Sequence, residues 1–307
     1  MTEKQDRFRG ALLGLAVGDA LGTTLEFRAP GTFQPLTDMV GGGPFSLKAG
    51  QWTDDTSMAL CLADSLIACG GMDLDDQATR YVKWWKKGVN SVTGDCFDIG
   101  NTVRSALSEY LRSGNPKAGS TDTMSAGNGS IMRLAPVPMF FASDGKAAVL
   151  AAADSSLVTH GAKEAVDACR LMAAIMVGYL QGNGKEEVLS EDFLGKFFGL
   201  DVAELTPKIR KLAGGSYKHI SNEEIRGTGY VVRSMEAALW SFWNSRSFEE
   251  GALLAVNFGD DADTTGAVFG QIAGAFYGRQ AIPNCWLEKL AWNERITSLA
   301  DRLMAGE

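Results

Sequence analysis

Residues 10–22, GALLGLAVGDALG, and residues 264–278, TTGAVFGQIAGAFYG, decide the fold. Glycine recurs at 10, 14, 18 and 22 in the first stretch and at 266, 270, 274 and 278 in the second. A step of four keeps positions on one helix face, so each stretch reads as a helix with a bare stripe. A glycine inside a helix costs about 0.5–1 kcal/mol relative to alanine. Several in one helix are tolerated where backbones approach closely. The pattern therefore predicts two central, tightly packed helices, and each stripe is a candidate partner for the other. Stripes of small residues also suit membrane helices. Here Asp19 and Gln271 interrupt the segments, and neither reaches the roughly 20 apolar residues that span a bilayer.

Helical periodicity continues outward from these two stretches. Helices are expected over 5–21, 54–69, 74–87, 101–112, 145–157, 162–181, 203–213, 228–244, 247–257, 263–278 and 284–304. Runs of alternating β-branched residues are nearly absent. No low-complexity linker or fixed-period repeat divides the chain, so an all-α fold with one domain over residues 1–307 is expected. The formal net charge of −8 argues against a general nucleic-acid binder, which needs basic stripes. The charged start, MTEKQDRFRG, does not read as a signal peptide, and the most apolar run, LMAAIMVGYL from Leu171, is too short to span a membrane. A cytoplasmic protein is expected. Five cysteines without a CxxC pattern read as thiols packed as small apolar residues, and two histidines cannot build a local zinc cluster.

Two acidic patches stand roughly 200 residues apart: Trp52-Thr53-Asp54-Asp55-Thr56-Ser57, and Gly259-Asp260-Asp261-Ala262-Asp263-Thr264-Thr265-Gly266. Each precedes an apolar helical run. Thr and Asp at helix starts cap orphan amides and suit the helix dipole. One carboxylate suffices for that, and both patches hold more. The other reading is a shared site for hard divalent cations, which take carboxylates, hydroxyls and water. Two like charges about 4 Å apart repel by roughly 4 kcal/mol at an effective dielectric near 20, so two cations would balance Asp54, Asp55, Asp261 and Asp263. Spacing alone leaves both readings standing. A third element, GNGSIMRLAPVP over residues 127–138, reads either as a Gly/Asn turn or as a loop offering amides to an anion ahead of an apolar helical stretch. It is neither a Walker A loop nor a dinucleotide fingerprint.

Taken together, GALLGLAVGDALGTTLEF, WTDDTSMAL, CFDIGNT, SAGNGSIMRLAPV, THG and GDDADTTGAVFGQIAGAFYG resemble the ADP-ribosylglycohydrolase family, from about residue 8 to about residue 280. In order and spacing they are similar to dinitrogenase reductase-activating glycohydrolases and ADP-ribosylarginine hydrolases. The resemblance implies an all-α, single, compact multi-helix domain with a central dinuclear metal cleft for ADP-ribose. It implies two divalent cations, Mg²⁺ or Mn²⁺, held by Thr53, Asp54, Asp55, Asp261, Asp263 and Thr264. Glu26, Asp55 and Asp98 become the candidates for proton transfer, unranked by the sequence. Ser125, Gly127, Asn128, Gly129, Ser130, His160 and Tyr230 become candidate substrate contacts.

The activity so implied is hydrolysis of the bond between ADP-ribose and a protein side chain, arginine first. The partners are an ADP-ribosylated protein and the product ADP-ribose, with no membrane. The alternatives are another linkage, such as ADP-ribosylserine or an O-acetylated ADP-ribose, and a non-catalytic ADP-ribose-binding or crystallin-like relative.

Overall fold

Thr2 opens the first helix by accepting a hydrogen bond from the Gln5 amide, and that helix, α1, spans Glu3–Gly22. From Gly10 onward every residue of α1 is buried, as expected of a helix that is apolar all round. Its partner is the helix over Ala262–Tyr277. The two run antiparallel, and the stripes meet glycine to glycine. A methyl group built on Gly10 would strike the carbonyl of Gly274, on Gly14 that of Gly270, and on Gly18 that of Gly266. At the end of the series, Gly22 lies on the backbone of Ala262 and Asp263. The sequence-based pairing is thus realised, and only glycine fits there.

In the computed structural model, residues 1–190, 192, 193, 195 and 202–306 are described. Between the two central helices in sequence come α2 (Asp54–Cys69), α3 (Leu74–Lys87), α4 (Asn101–Ser113), α5 (Pro136–Phe140), α6 (Gly145–Leu157), α7 (Lys163–Leu180), α8 (Lys185–Val188), α9 (Pro207–Ala213), α10 (Val231–Trp243) and α11 (Phe248–Val256). The Ala262–Tyr277 helix is α12, followed by α13 (Asn284–Lys289) and α14 (Asn293–Ala305). Among the described residues extended pairing is limited to isolated bridges, including Gly127 with Tyr230 and Ser120 with His160. One apolar cluster runs from Phe8 on α1 to Leu303 on α14. A smaller one gathers Met58, Tyr81, Trp84, Val103 and Met132 beneath α3 and α4. No described helix is long and apolar enough to cross a membrane.

Three expectations need correction. The segment 284–304 is two helices, because Trp292 turns into a left-handed conformation (φ 57°) and sets its ring edge-on against Trp52, 5.2 Å away. The segment 203–213 is a short 3₁₀ turn (Val202–Glu204) followed by α9, which starts at Pro207, a residue with no amide hydrogen to leave orphaned. The residues after the GNGS loop form turns, and the helix begins only at Pro136. The GNGS loop therefore does not open directly onto a helix N-terminus.

Candidate active site

Antiparallel packing brings the last turn of α1 beside the first turn of α12, and α2 begins at the same point. Asp19, fully buried on α1, makes the junction. Its Oδ1 accepts hydrogen bonds from the amide and hydroxyl of Thr53 (2.9 and 3.0 Å), and its Oδ2 from the amide and hydroxyl of Thr56 (3.0 and 2.6 Å). A carboxylate from α1 thus caps the start of α2, where the dipole favours negative charge. Sequence reasoning treated Asp19 only as a break in the glycine stripe. The signal was there: a single acid in the otherwise apolar Gly10–Gly22 part of α1.

The two acidic patches interlock. Thr264 Oγ1 donates to Asp55 Oδ1 at 3.3 Å, and Thr53 Oγ1 lies 3.2 Å from Asp263 Oδ2. Glu26, Asp54, Asp55 and Asp263 are each less than a tenth exposed. Carboxylate oxygens of Glu26, Asp98 and Asp263 lie within 4.8 Å of one another. Three buried oxygens, Glu26 Oε2, Asp55 Oδ2 and Asp263 Oδ1, have no hydrogen-bond partner among the described residues. Buried acceptors left unmet are costly. Burial is the main force raising the carboxyl pKa values, and neighbouring charges add to it. Glu26 is pushed up to about 9 by burial and by the charges of Asp98 and Asp261. Asp98 rises to about 7 through burial, against a hydrogen bond with Asp54. Burial raises Asp54, Asp55 and Asp263 well above the ordinary range, and Asp261 also rises. Asp19 rises only to about 6, since its hydrogen bonds to Thr53 and Thr56 oppose the cost of burial. Crowded, desolvated carboxylates with orphan oxygens form a donor set that fits hard divalent cations.

Glu26, Asp54, Asp98, Asp261 and Asp263 floor a cavity of about 310 Å³ whose walls include Gly127, Asn128, Gly129 and His160. Asn128 Nδ2 donates to Asp261 Oδ2 at 2.7 Å, tying the GNGS loop to the acidic floor. The loop is held from the other side by the Asn128 amide on the Gly229 carbonyl (3.0 Å). An outer cavity of about 810 Å³ holds Ser125, Tyr230, Lys163 and Lys208, and shares Thr102, Gly127 and Gly229 with the inner one. Tyr230 is fixed there by donating to Glu164 (2.5 Å) and accepting from Lys208 (2.7 Å).

The predicted residues therefore fall into three places. Glu26, Asp54, Asp98, Gly127, Asn128, Gly129, His160, Asp261, Asp263 and Thr264 line the inner cavity. Ser125 and Tyr230 line the outer one. Thr53, Asp55 and Ser130 line neither. Thr53 and Asp55 sit directly behind the floor, whereas the Ser130 hydroxyl is engaged by Ser156 and Cys169 in the interior. Eight lining residues of the inner cavity were not among the sequence-based site candidates, Phe27 and Asp260 among them. Both adopt positive φ (61° and 56°), as does Asp98 (58°), and the Phe27 amide donates to the Asp260 carbonyl at 2.7 Å. Conformations of this kind cluster where a site over-determines its backbone.

An all-α fold built on a glycine-paired antiparallel helix pair, with an acidic floor beneath a glycine loop, defines a glycohydrolase-type cleft. The ADP-ribosylglycohydrolase family profile matches residues 1–307, and the chain belongs to that family. It is 49% identical over 298 residues to ADP-ribosylarginine hydrolase Tri1 of Pseudomonas putida (strain GB-1), covering 97% of this chain and 78% of that protein. It is 44% identical over 302 residues to the protein of the same name from Serratia proteamaculans (strain 568), covering 98% and 80%. A solved structure described as an ADP-ribosylglycohydrolase-related protein complex superposes with a TM-score of 0.87 at 43% identity, covering 99% of both chains.

Proposed function

We propose that the protein is an ADP-ribosylarginine hydrolase. Water would cleave the N-glycosidic bond between C1″ of ADP-ribose and the arginine of a modified protein, yielding ADP-ribose and free arginine. The carrying observation is the floor of the cleft, where carboxylates distant in the chain meet and three buried oxygens have no partner among the described residues. The names of the Pseudomonas and Serratia relatives supply the arginine linkage.

The charge layout supports one ligand orientation. A diphosphate is repelled by the acidic floor, so the uncharged ribose faces it. The phosphates then face the Gly127–Gly129 stretch, and Lys163 and Lys208 stand at the outer end. The Gly129 and Ser130 amides make no hydrogen bond to a described residue, and they are candidate donors to this part of the ligand. Tyr230, in the outer cavity, offers a ring to the adenine end.

Asp54, Asp55, Asp261 and Asp263, with Thr53 and Thr264, would hold two divalent cations, Mg²⁺ or Mn²⁺. When bound, such cations supply Lewis-acid chemistry that fixes ribose hydroxyls and makes a water more acidic. Glu26 lines the cleft with a free Oε2 and, in the ionised form that cations in the floor would favour, is the candidate to take the proton of the attacking water. That proton leaves with the guanidino nitrogen as the C1″–N bond breaks. Asp98 and the remaining carboxylates favour the positive charge that develops on the ribose. The five free cysteines support a reducing, cytoplasmic setting.

The test is release of ADP-ribose from an ADP-ribosylarginine protein with Mg²⁺ or Mn²⁺, beside a serine-linked substrate and O-acetyl-ADP-ribose. Turnover of the arginine-linked substrate is expected, with loss on chelation. Preference for serine or acetyl linkages would overturn the arginine assignment, and full activity after exhaustive chelation would overturn the metal centre. Binding of ADP-ribose without turnover of any linkage would make the chain a non-catalytic reader.

A further inference from the structure

Arg133 follows the GNGS loop by three residues and is wholly buried. Among the described residues it forms no ion pair. Its guanidinium lies 4.6 Å from the centre of the Tyr81 ring, and its Nη1 donates to the Gly129 carbonyl at 2.7 Å. Its Nη2 donates to Thr159 Oγ1, also at 2.7 Å. Thr159 Oγ1 in turn lies 2.9 Å from His160 Nδ1. Thr159 and His160 are at most 2% exposed.

The direction of this chain follows from the donor inventory. A guanidinium has only hydrogens to offer, so Thr159 Oγ1 must accept from Arg133. The Thr159 hydroxyl proton then needs an acceptor, and among the described residues only His160 Nδ1 lies within reach. A ring nitrogen that accepts carries no proton, which places the imidazole hydrogen on Nε2. Nε2 itself has no partner among the described residues, and His160 lines the inner cavity. The ring edge packs against the loop: a methyl on Gly127 would lie 3.3 Å from Nε2, and one on Gly129 3.1 Å from it. Burial and the Arg133 charge push the imidazole down to about 3, consistent with a ring that stays neutral.

We propose that Arg133 and Thr159 are positioning residues that lock neutral His160 in the Nε2–H form, so that it donates a hydrogen bond to an oxygen of ADP-ribose seated over Gly127 and Gly129. The same Arg133 contact fixes the Gly129–Ser130 peptide, whose N–H points opposite to the held carbonyl. The ligand half of this inference rests on reading the cleft as an ADP-ribose site. The proton relay does not.

Histidine-selective ¹⁵N labelling of the full chain tests the relay without ligand. Only His160 and His219 give ring signals, and the exposed His219 can be removed by His219→Gln to assign them. The expected spectrum shows a bare Nδ1 and a protonated Nε2 on His160 at every pH from about 5.5 to about 8. A proton on Nδ1, or titration near the ordinary value of about 6.5, overturns the relay. Thr159→Val keeps the shape and deletes the hydroxyl. It should mix the two tautomers and weaken ADP-ribose binding roughly tenfold by calorimetry, leaving Mn²⁺ affinity unchanged, and Thr159→Ser should restore both. Wild-type ADP-ribose affinity in Thr159→Val overturns the donor role. If the wild-type protein does not bind ADP-ribose, the functional reading and the ligand half fall together. An Nδ1–H spectrum with intact ADP-ribose binding defeats the relay alone.

Discussion

Thr264 donates its hydroxyl to Asp55 across 209 positions of chain, at 3.3 Å. With the reciprocal contact of Thr53 and Asp263, it joins the starts of α2 and α12 into one acidic floor. Removing an acid from this floor removes a donor to the cations and also relieves repulsion. Asp55→Ala and Asp261→Ala should therefore fold, with unfolding midpoints at or above wild type in chelator. They should lose bound Mn²⁺ by elemental analysis and lower ADP-ribose release at least ~100-fold. Retained metal with retained turnover would remove these residues from the ligand set.

Asp19 supports the floor without lining it. Asp19→Asn keeps the shape but replaces one of two acceptor oxygens by a donor, leaving amide and hydroxyl hydrogens at Thr53 or Thr56 unmet. The expected loss is about 2 kcal/mol or more in urea unfolding, with metal affinity down roughly 10- to 100-fold. A change in stability alone would confine Asp19 to capping.

The raised carboxyl pKa values fix a sign for pH dependence. Glu26 (about 9) and Asp98 (about 7) hold protons more tightly folded than unfolded, where carboxyls titrate near 4. Between those limits the native state binds more protons, so stability falls as pH rises. In chelator, the unfolding temperature should drop between pH 5 and pH 9. Saturating Mg²⁺ or Mn²⁺ should raise it, and by more at pH 9, because cations and protons compete for the same oxygens. A chelated protein whose unfolding temperature climbs steadily across that range would contradict the arrangement.

Gly14 and Gly270 face each other's backbone, so neither can carry a side chain without parting α1 from α12. Gly14→Ala or Gly270→Ala should cost about 3 kcal/mol or more, read as loss of soluble protein or a large fall in unfolding midpoint. Gly71→Ala meets open space and should stay within about 0.5 kcal/mol.

Most of the helices and both acidic patches were legible in the sequence, because glycine spacing and clustered acids are local patterns. The split at Trp292 was not. Its φ of 57° is tied to Trp52, some 240 residues earlier, and no periodicity carries that contact. The role of Asp19 was hidden for the same reason, since its partners belong to α2. The left-handed backbones of Phe27, Asp98 and Asp260 were not legible either: aspartate tolerates that conformation and phenylalanine does so rarely, but no local pattern marks which residue adopts it. Ser130 shows what a motif leaves out: its hydroxyl is turned inward to Ser156 and Cys169, a placement set by contacts distant in sequence.

The glycine pairing between α1 and α12 also works as a vernier. A slip of one helix by four residues, setting Gly10, Gly14, Gly18 and Gly22 against Gly278, Gly274, Gly270 and Gly266, would still seat glycine on glycine, so backbone fit alone only weakly rejects that neighbouring alignment. The slip would carry Asp263 about 6 Å along the axis, away from Thr53 and Asp19. The hydroxyl and carboxylate lattice at one end thus chooses the tooth on which the helix pair locks, and mutations that blunt it should be felt as misregistered assembly as well as lost chemistry.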